Sequence, residues 1–290
     1  MFEGFSLKTI DAAGTAINLR VGGHGPPLLL LHGYPQTHVM WHKIAPDLAR
    51  RFTVVCPDLR GYGASAKPAG GEDHAGYSKR AMADDQVAVM AALGFARFRV
   101  VGHDRGARVA HRMCLDHAEK IERAAVLDIV PTREVFATTN KALATAYFHW
   151  FFLIQRHDFP ERLIGADPDY YLRRMLGAWS AKDDRTFAAE AMHAYLEAFR
   201  DSKTIHATCE DYRAAASVDL EHDEADIVKK IEAPLLVLWG EKGAMQRLYD
   251  VLGVWRTRAR DVRGRALPCG HFLPEEAPVE TLAALLDFLP

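Results

Sequence analysis

Short apolar runs, each stopped by turn-forming residues, constrain this chain more than any other feature. Leu28–Leu31 ends at His32-Gly33, Thr53–Cys56 at Pro57-Asp58, Phe98–Val101 at Gly102, and Ala124–Leu127 at Asp128. Pro234–Trp239 follows late in the chain, with a weaker run at Arg265–Leu267. A strand with one wet face alternates apolar and polar residues, whereas a run that is apolar throughout suits a strand covered on both faces. Helix-like segments lie between the runs, among them Arg80–Leu93 and Ala107–His117, and Val279–Phe288 reads as a closing helix. Strands alternating with helices predict a parallel sheet in an α/β fold.

Between Glu134 and Val218 the strand pattern stops, and the chain reads as aromatic-rich helices over Thr139–Ile154, Pro168–Gly177, Asp184–Arg200 and Ile205–Ser217. The layout this predicts is a core domain of residues 1–133 and 219–290, with a helical cap of 134–218 inserted into it. A chain of 290 residues with 49% hydrophobic content can bury such a core. The net charge of −2 is spread without like-charge blocks, which argues against a nucleic-acid surface. No uninterrupted apolar stretch is long enough for a membrane span, and the first residues lack the pattern of a signal peptide. Cys56, Cys114, Cys209 and Cys269 show no C-x-x-C spacing, so free thiols in a reducing cytoplasm are expected.

Gly102-His103-Asp104-Arg105-Gly106 lies where a buried strand meets a helix. In a nucleophile elbow, a strand turns sharply into a helix and displays one side chain at the crest. Flanking glycines let the backbone crowd, and the amides at the helix start favour negative charge. No G-x-S-x-G occurs, so the crest residue is Asp104, a carboxylate that can attack carbon and form an ester. Hydrolysing that ester requires a base and a group that orients it. His271, in Cys269-Gly270-His271-Phe272 after the last apolar run, is the candidate base. The orienting acid is Asp128, directly after a strand, in preference to Glu241, because open α/β sheets build sites at carboxyl strand ends. The loop His32-Gly33-Tyr34-Pro35 is expected to donate one N–H to an oxyanion, and Arg105 the second.

Taken together, His32-Gly33-Tyr34-Pro35-Gln36, Pro57-Asp58-Leu59-Arg60-Gly61-Tyr62-Gly63, the elbow and Gly270-His271-Phe272 resemble the α/β-hydrolase superfamily over essentially the whole chain. That resemblance implies a mostly parallel eight-stranded sheet with helices on both faces and an inserted helical cap. An elbow aspartate resembles dehalogenases and epoxide hydrolases, which usually place tryptophan next. Here Arg105 follows, and His103-Asp104-Arg105-Gly106-Ala107-Arg108, His111-Arg112-Met113, His149-Trp150 and Asp211-Tyr212-Arg213-Ala214-Ala215 closely resemble fluoroacetate (haloacetate) dehalogenases. The resemblance implies Asp104 as nucleophile, His271 as base and Asp128 as acid. It implies that Arg105 and Arg108 grip the substrate carboxylate, and that His149, Trp150 and Tyr212 bind the departing halide. Trp179 matches a pocket tryptophan in a looser motif. Ala107 stands where glycine is frequent, and Tyr34 where phenylalanine is frequent, which would alter the polarity of the pocket. A homodimer is implied as well, and no metal or organic cofactor is called for.

Paired arginines suit such chemistry. An anionic nucleophile and an anionic substrate about 4 Å apart repel by about 4 kcal/mol at an effective dielectric of 20, or about three decades of rate. A guanidinium fork matches both oxygens of a carboxylate. An imidazole N–H, an indole N–H and a phenol O–H suit a small halide with concentrated charge. Two rivals remain at this stage. An epoxide hydrolase would use cap phenols, for which Tyr147, Tyr195 and Tyr212 are available. A non-catalytic protein that binds a small carboxylate would leave His271 without a purpose.

Overall fold

The computed structural model describes residues 1–290, the side chain of Asp184 excepted. Its eight strands are β1 (Phe5–Ala12), β2 (Thr15–Gly22), β3 (Pro27–Leu31), β4 (Thr53–Pro57), β5 (Phe98–His103), β6 (Ile121–Leu127), β7 (Leu235–Gly240) and β8 (Val262–Leu267). They form one sheet in the order β1-β2-β4-β3-β5-β6-β7-β8, in which β2 runs against both its neighbours and the remaining pairs are parallel.

The apolar runs occupy the middle of the sheet. Leu28–Leu31, Val100, Val101, Ala125, Leu127, Leu235 and Val237 are all buried, as expected of strands covered on both faces. Helix Arg105–Asp116 packs against β3, β5 and β6. The carboxyl ends of β5, β6 and β7 therefore lie side by side, with His103 opposite Leu127 and Leu127 opposite Leu238. Those three ends carry Asp104, Asp128 and Gly240.

All elements between β6 and β7 are helical. The boundaries expected at 134 and 218 fall at helices Thr132–Ala137 and Val218–Ala225, which pack against each other at the base of the insertion. The single helix expected over Thr139–Ile154 is two, Lys141–Ala146 and Phe148–Leu153, broken at Tyr147. Helix Phe159–Ala166, which carries a proline in its first turn, was not foreseen. Helices Pro168–Trp179, Ala189–Phe199 and Ser202–Ala215 complete the cap. All four cysteines are buried and free, and no helix is long and apolar enough to cross a membrane.

Candidate active site

Asp104 stands between β5 and helix Arg105–Asp116 with φ 48° and ψ −113°, a left-handed conformation that costs free energy and must be held by its surroundings. The glycines around it make that possible. A Cβ on Gly106 would lie 2.4 Å from the His32 carbonyl oxygen, and one on Gly33 would lie 2.5 Å from the Asp104 Cβ. With no side chain at 33, the Tyr34 backbone N–H donates to Asp104 Oδ1 at 2.9 Å. The Tyr34 loop is the first of the two sources from which the sequence leads one to expect an oxyanion donor. The second, the Arg105 amide, heads the helix behind the crest.

His271 Nδ1 lies 2.6 Å from Asp128 Oδ2, and Asp128 Oδ1 accepts from the Gly240 amide at 2.9 Å. Asp128, not Glu241, therefore orients the imidazole, while Glu241 is exposed. His271 Nε2 is 3.8 Å from Asp104 Oδ2, too long for a hydrogen bond, so the imidazole does not tie up that oxygen. Burial alone would raise the Asp104 pKa, but His271, His103, Arg105 and Arg108 together bring it below the ordinary value. Burial likewise opposes protonation of His271, and the Asp128 hydrogen bond and charge outweigh it, raising the imidazole above 6.5.

Three contacts that the sequence does not foretell hold the loop of His271. His103, pushed by burial down to about 3, is neutral, and its Nε2 donates to the His271 carbonyl at 2.8 Å. The Trp179 carbonyl accepts from the His271 amide at 3.0 Å. Glu276 accepts from the amides of Gly270, Phe272 and Ala181, tying the base loop to the cap. No local pattern marks the first two, since both bonds depend on how distant segments meet.

The two arginines differ. The Arg105 guanidinium is pinned on Asp211, with Nε 3.0 Å from Oδ2 and Nη2 2.5 Å from Oδ1, and Asp211 also accepts from Tyr62 and Lys79. The fork expected to face substrate is thus largely occupied, and only Nη1 is left without a partner. Asp211 was noticed only as part of a motif; its partner is 106 positions away in sequence. Arg108 donates through Nη1 to the Val130 carbonyl and the Thr132 hydroxyl, and its Nε has no partner. It is 2% exposed, yet no carboxylate among the described residues pairs with it. Burial and the neighbouring Arg105 charge lower its pKa.

A group of buried polar atoms without partners gathers beside these cations. It comprises Tyr212 Oη, Trp150 Nε1 and His149 Nδ1. The Arg105 guanidinium carbon is 4.1 Å from the Tyr212 ring centre, and that of Arg108 is 4.5 Å from the Trp150 ring centre. The His149 ring lies 5.6 Å from Tyr212 and 4.4 Å from Trp179. Burial pushes His149 down to about 3, so it offers a neutral ring N–H. Tyr34 is also in this cluster, with its ring 5.3 Å from Tyr212 and its hydroxyl toward Tyr171. A cavity of about 270 Å³ opens above it, lined by Asp104, Asp128, His149, Trp179 and His271 among others. Arg105, Arg108, Trp150, Tyr212 and Tyr34 lie outside that lining, behind it in the protein.

An eight-stranded, mostly parallel sheet with a histidine–aspartate pair beside a carboxylate at the strand-to-helix elbow has the architecture of an α/β hydrolase. Residues 26–278 match the family described as alpha/beta hydrolase fold, and the chain belongs to that family. Its likeness to the fluoroacetate dehalogenases extends over its whole length: a fluoroacetate dehalogenase from Burkholderia sp. is 47% identical over 289 residues, covering 100% of this chain and 95% of that one. A soluble epoxide hydrolase from Corynebacterium sp. (strain C12) is 33% identical over 279 residues, covering 95% and 94%. A solved structure from Nostoc sp. PCC 7120, provisionally classed as an alpha/beta hydrolase, shares 60% identity with a TM-score of 0.98 and covers 100% and 99%.

Proposed function

We propose that this protein is a hydrolase of carbon–halide bonds that converts haloacetates to glycolate through an ester on Asp104. The observation that carries the reading is Arg108, a cation 2% exposed and unpaired among the described residues, next to the elbow carboxylate. An unpaired buried charge costs several kcal/mol, and a bound substrate carboxylate offsets that cost. The 47% identical relative from Burkholderia sp., a fluoroacetate dehalogenase, supports the same reading.

The first step is an in-line displacement. Asp104 attacks C2, the carbon–halogen bond breaks, and halide leaves with the bonding pair. Arg108 and the free Arg105 nitrogen offset the substrate charge, while the donors of His149, Trp150 and Tyr212 receive the halide. Trp179 shapes the wall beside His149. In the second step His271 takes a proton from water as its oxygen attacks the Asp104 carbonyl. The Tyr34 and Arg105 amides stabilise the oxyanion, and Asp128 stabilises the imidazolium. Collapse releases glycolate and restores the carboxylate, with one proton passing to solvent per turnover. A homodimer, implied by the resemblance, and a cytoplasmic location, expected from the free thiols, stand with this proposal.

Single-turnover reaction in heavy-oxygen water, read by mass spectrometry of the peptide holding Asp104, tests the ester. Label is expected in the carboxylate, and Asp104→Asn is expected to lower halide release from fluoroacetate and chloroacetate at least about 10³-fold. Label in glycolate alone would overturn the ester route. The epoxide-hydrolase reading draws on the 33% identical relative and on Tyr147 and Tyr212, both packed against His149. It predicts turnover of a neutral epoxide with no halide release, a poor match to two buried guanidinium groups.

A further inference from the structure

The cavity changes character from floor to mouth. Its floor is buried and carries Asp104 and Asp128, the only acids among the described residues of its lining. The exposed residues of its lining are Thr145, Phe148, Arg174, Ala178, Lys242 and Arg247. Three of these are cations, and none is an acid.

The three cations come from opposite sides. Arg174 projects from the cap helix Pro168–Trp179, whereas Lys242 and Arg247 follow β7 on the core. The core pair is tethered: the Lys242 amide donates to the Cys269 carbonyl at 3.0 Å, and Arg247 Nη1 donates to the Lys242 carbonyl at 3.2 Å. No carboxylate among the described residues pairs with any of the three. Two other exposed arginines of the cap do have acid partners, Arg162 with Asp158 and Arg200 with Asp169 and Glu197.

Unpaired like charges around one opening repel one another and add nothing to the fold. They do focus a positive potential into a cleft with low-dielectric walls, which raises the local concentration of anions and their rate of capture. The inner cations cannot fill this role, because Arg105 and Arg108 are buried behind the cavity wall.

We propose that Arg174, Lys242 and Arg247 form an outer anion-binding vestibule that captures carboxylate-bearing substrates from solvent and selects them over neutral ones. The proposal rests on the haloacid reading for the identity of the substrate. The vestibule acts before chemistry, so it governs KM more than kcat. It also makes capture sensitive to salt, because exposed charges are screened once the Debye length falls below their separation from the ligand.

The test compares wild type with the triple variant Arg174→Gln/Lys242→Gln/Arg247→Gln; all three positions are exposed, so the fold is expected to persist. With chloroacetate, KM is expected to rise about tenfold, the low end of what focused potentials achieve, while kcat changes by less than about threefold. The decline of kcat/KM between low and high ionic strength is expected to flatten. A variant with the KM and salt dependence of wild type would overturn the vestibule. A second readout needs no turnover. Trp179 lines the same cavity, so iodide should quench indole fluorescence more strongly in wild type than in the variant, with quenching by neutral acrylamide equal in both. Equal iodide quenching would also overturn the proposal. Failure of wild type to release halide from any haloacetate would sink the haloacid reading instead, and the iodide comparison would still decide the vestibule.

Discussion

Arg105 and Arg108 lie on the first turn of one helix, yet their surroundings are opposite. Arg105 has Asp211, which is itself fully buried; Arg108 has a carbonyl, a hydroxyl and no acid. Removing one partner of a buried pair leaves a charge stranded, at a cost of about 3–5 kcal/mol. Arg105→Met is therefore expected to destabilise by up to about 3 kcal/mol, because Lys79 and Tyr62 still hold Asp211, while Arg108→Met removes an unpaired buried charge and is expected to keep or raise stability. Urea midpoints separate the two, and both variants are expected to lose haloacetate turnover. A second prediction concerns the base. In the proposed mechanism His271 acts deprotonated, and its pKa is raised above the ordinary imidazole value, so the acid limb of kcat against pH is expected above that value. Asp128 supplies the largest raising contributions, by hydrogen bond and charge. Asp128→Asn is expected to slow the reaction and move that limb to lower pH; an unmoved limb would assign it to another group. Asp104, Asp128 and His271 were legible because each stands directly after a strand or in a loop at its end. The Asp211 clamp on Arg105 was not, because two distant segments create it.

At the scale of elements, the elbow is a feature of backbone geometry. A Cβ on Gly106 would press on the backbone oxygens of His32 and Leu31, at 2.4 and 2.5 Å, and these cannot move without disturbing β3. Gly106→Ala is expected to lower stability by at least about 2 kcal/mol, read as a fall in the thermal midpoint. The strands found from sequence were those apolar throughout, with β8 marked only by the weaker run Arg265–Leu267. The β1–β2 hairpin escaped that criterion: β1 is largely exposed, and β2 alternates Ile17, Asn18, Leu19 and Arg20. It is the half-wetted edge of the sheet, where period-two alternation replaces a continuous run. The break at Tyr147 was equally hidden, since 141–153 contains neither glycine nor proline. That break re-aims the following helix, so His149 and Trp150 are both buried among the site's aromatics.

Across the whole molecule, cap and core meet at a second buried carboxyl. Glu275, four residues beyond His271, accepts from Gln36 Nε2 at 2.5 Å and lies beside the cap phenol Tyr195. Burial raises it from 4.5 to about 8, so the folded protein holds a proton there at neutral pH. The folded state then binds more protons than the unfolded chain between those values, and stability falls as pH rises from about 4.5 through about 8. Glu275→Gln is expected to flatten that part of the curve, measured by calorimetry from pH 5 to pH 9; an unchanged slope would place the proton elsewhere.

Some properties of this protein follow from local order alone. The apolar runs and their turn residues determined a buried parallel sheet, because covering both faces of a strand demands continuous hydrophobicity. The G-x-D-x-G turn determined which carboxylate would stand at the crest, because only that spacing relieves the backbone of steric conflict. What tertiary structure decided was every relation between segments far apart in the chain: which acid clamps Arg105, which cation stays unpaired, which carbonyls hold the base, and which charges ring the mouth. Such relations depend on distances of a few ångströms between groups tens to more than a hundred residues apart, and those distances exist only once the sheet and its cap have closed around them.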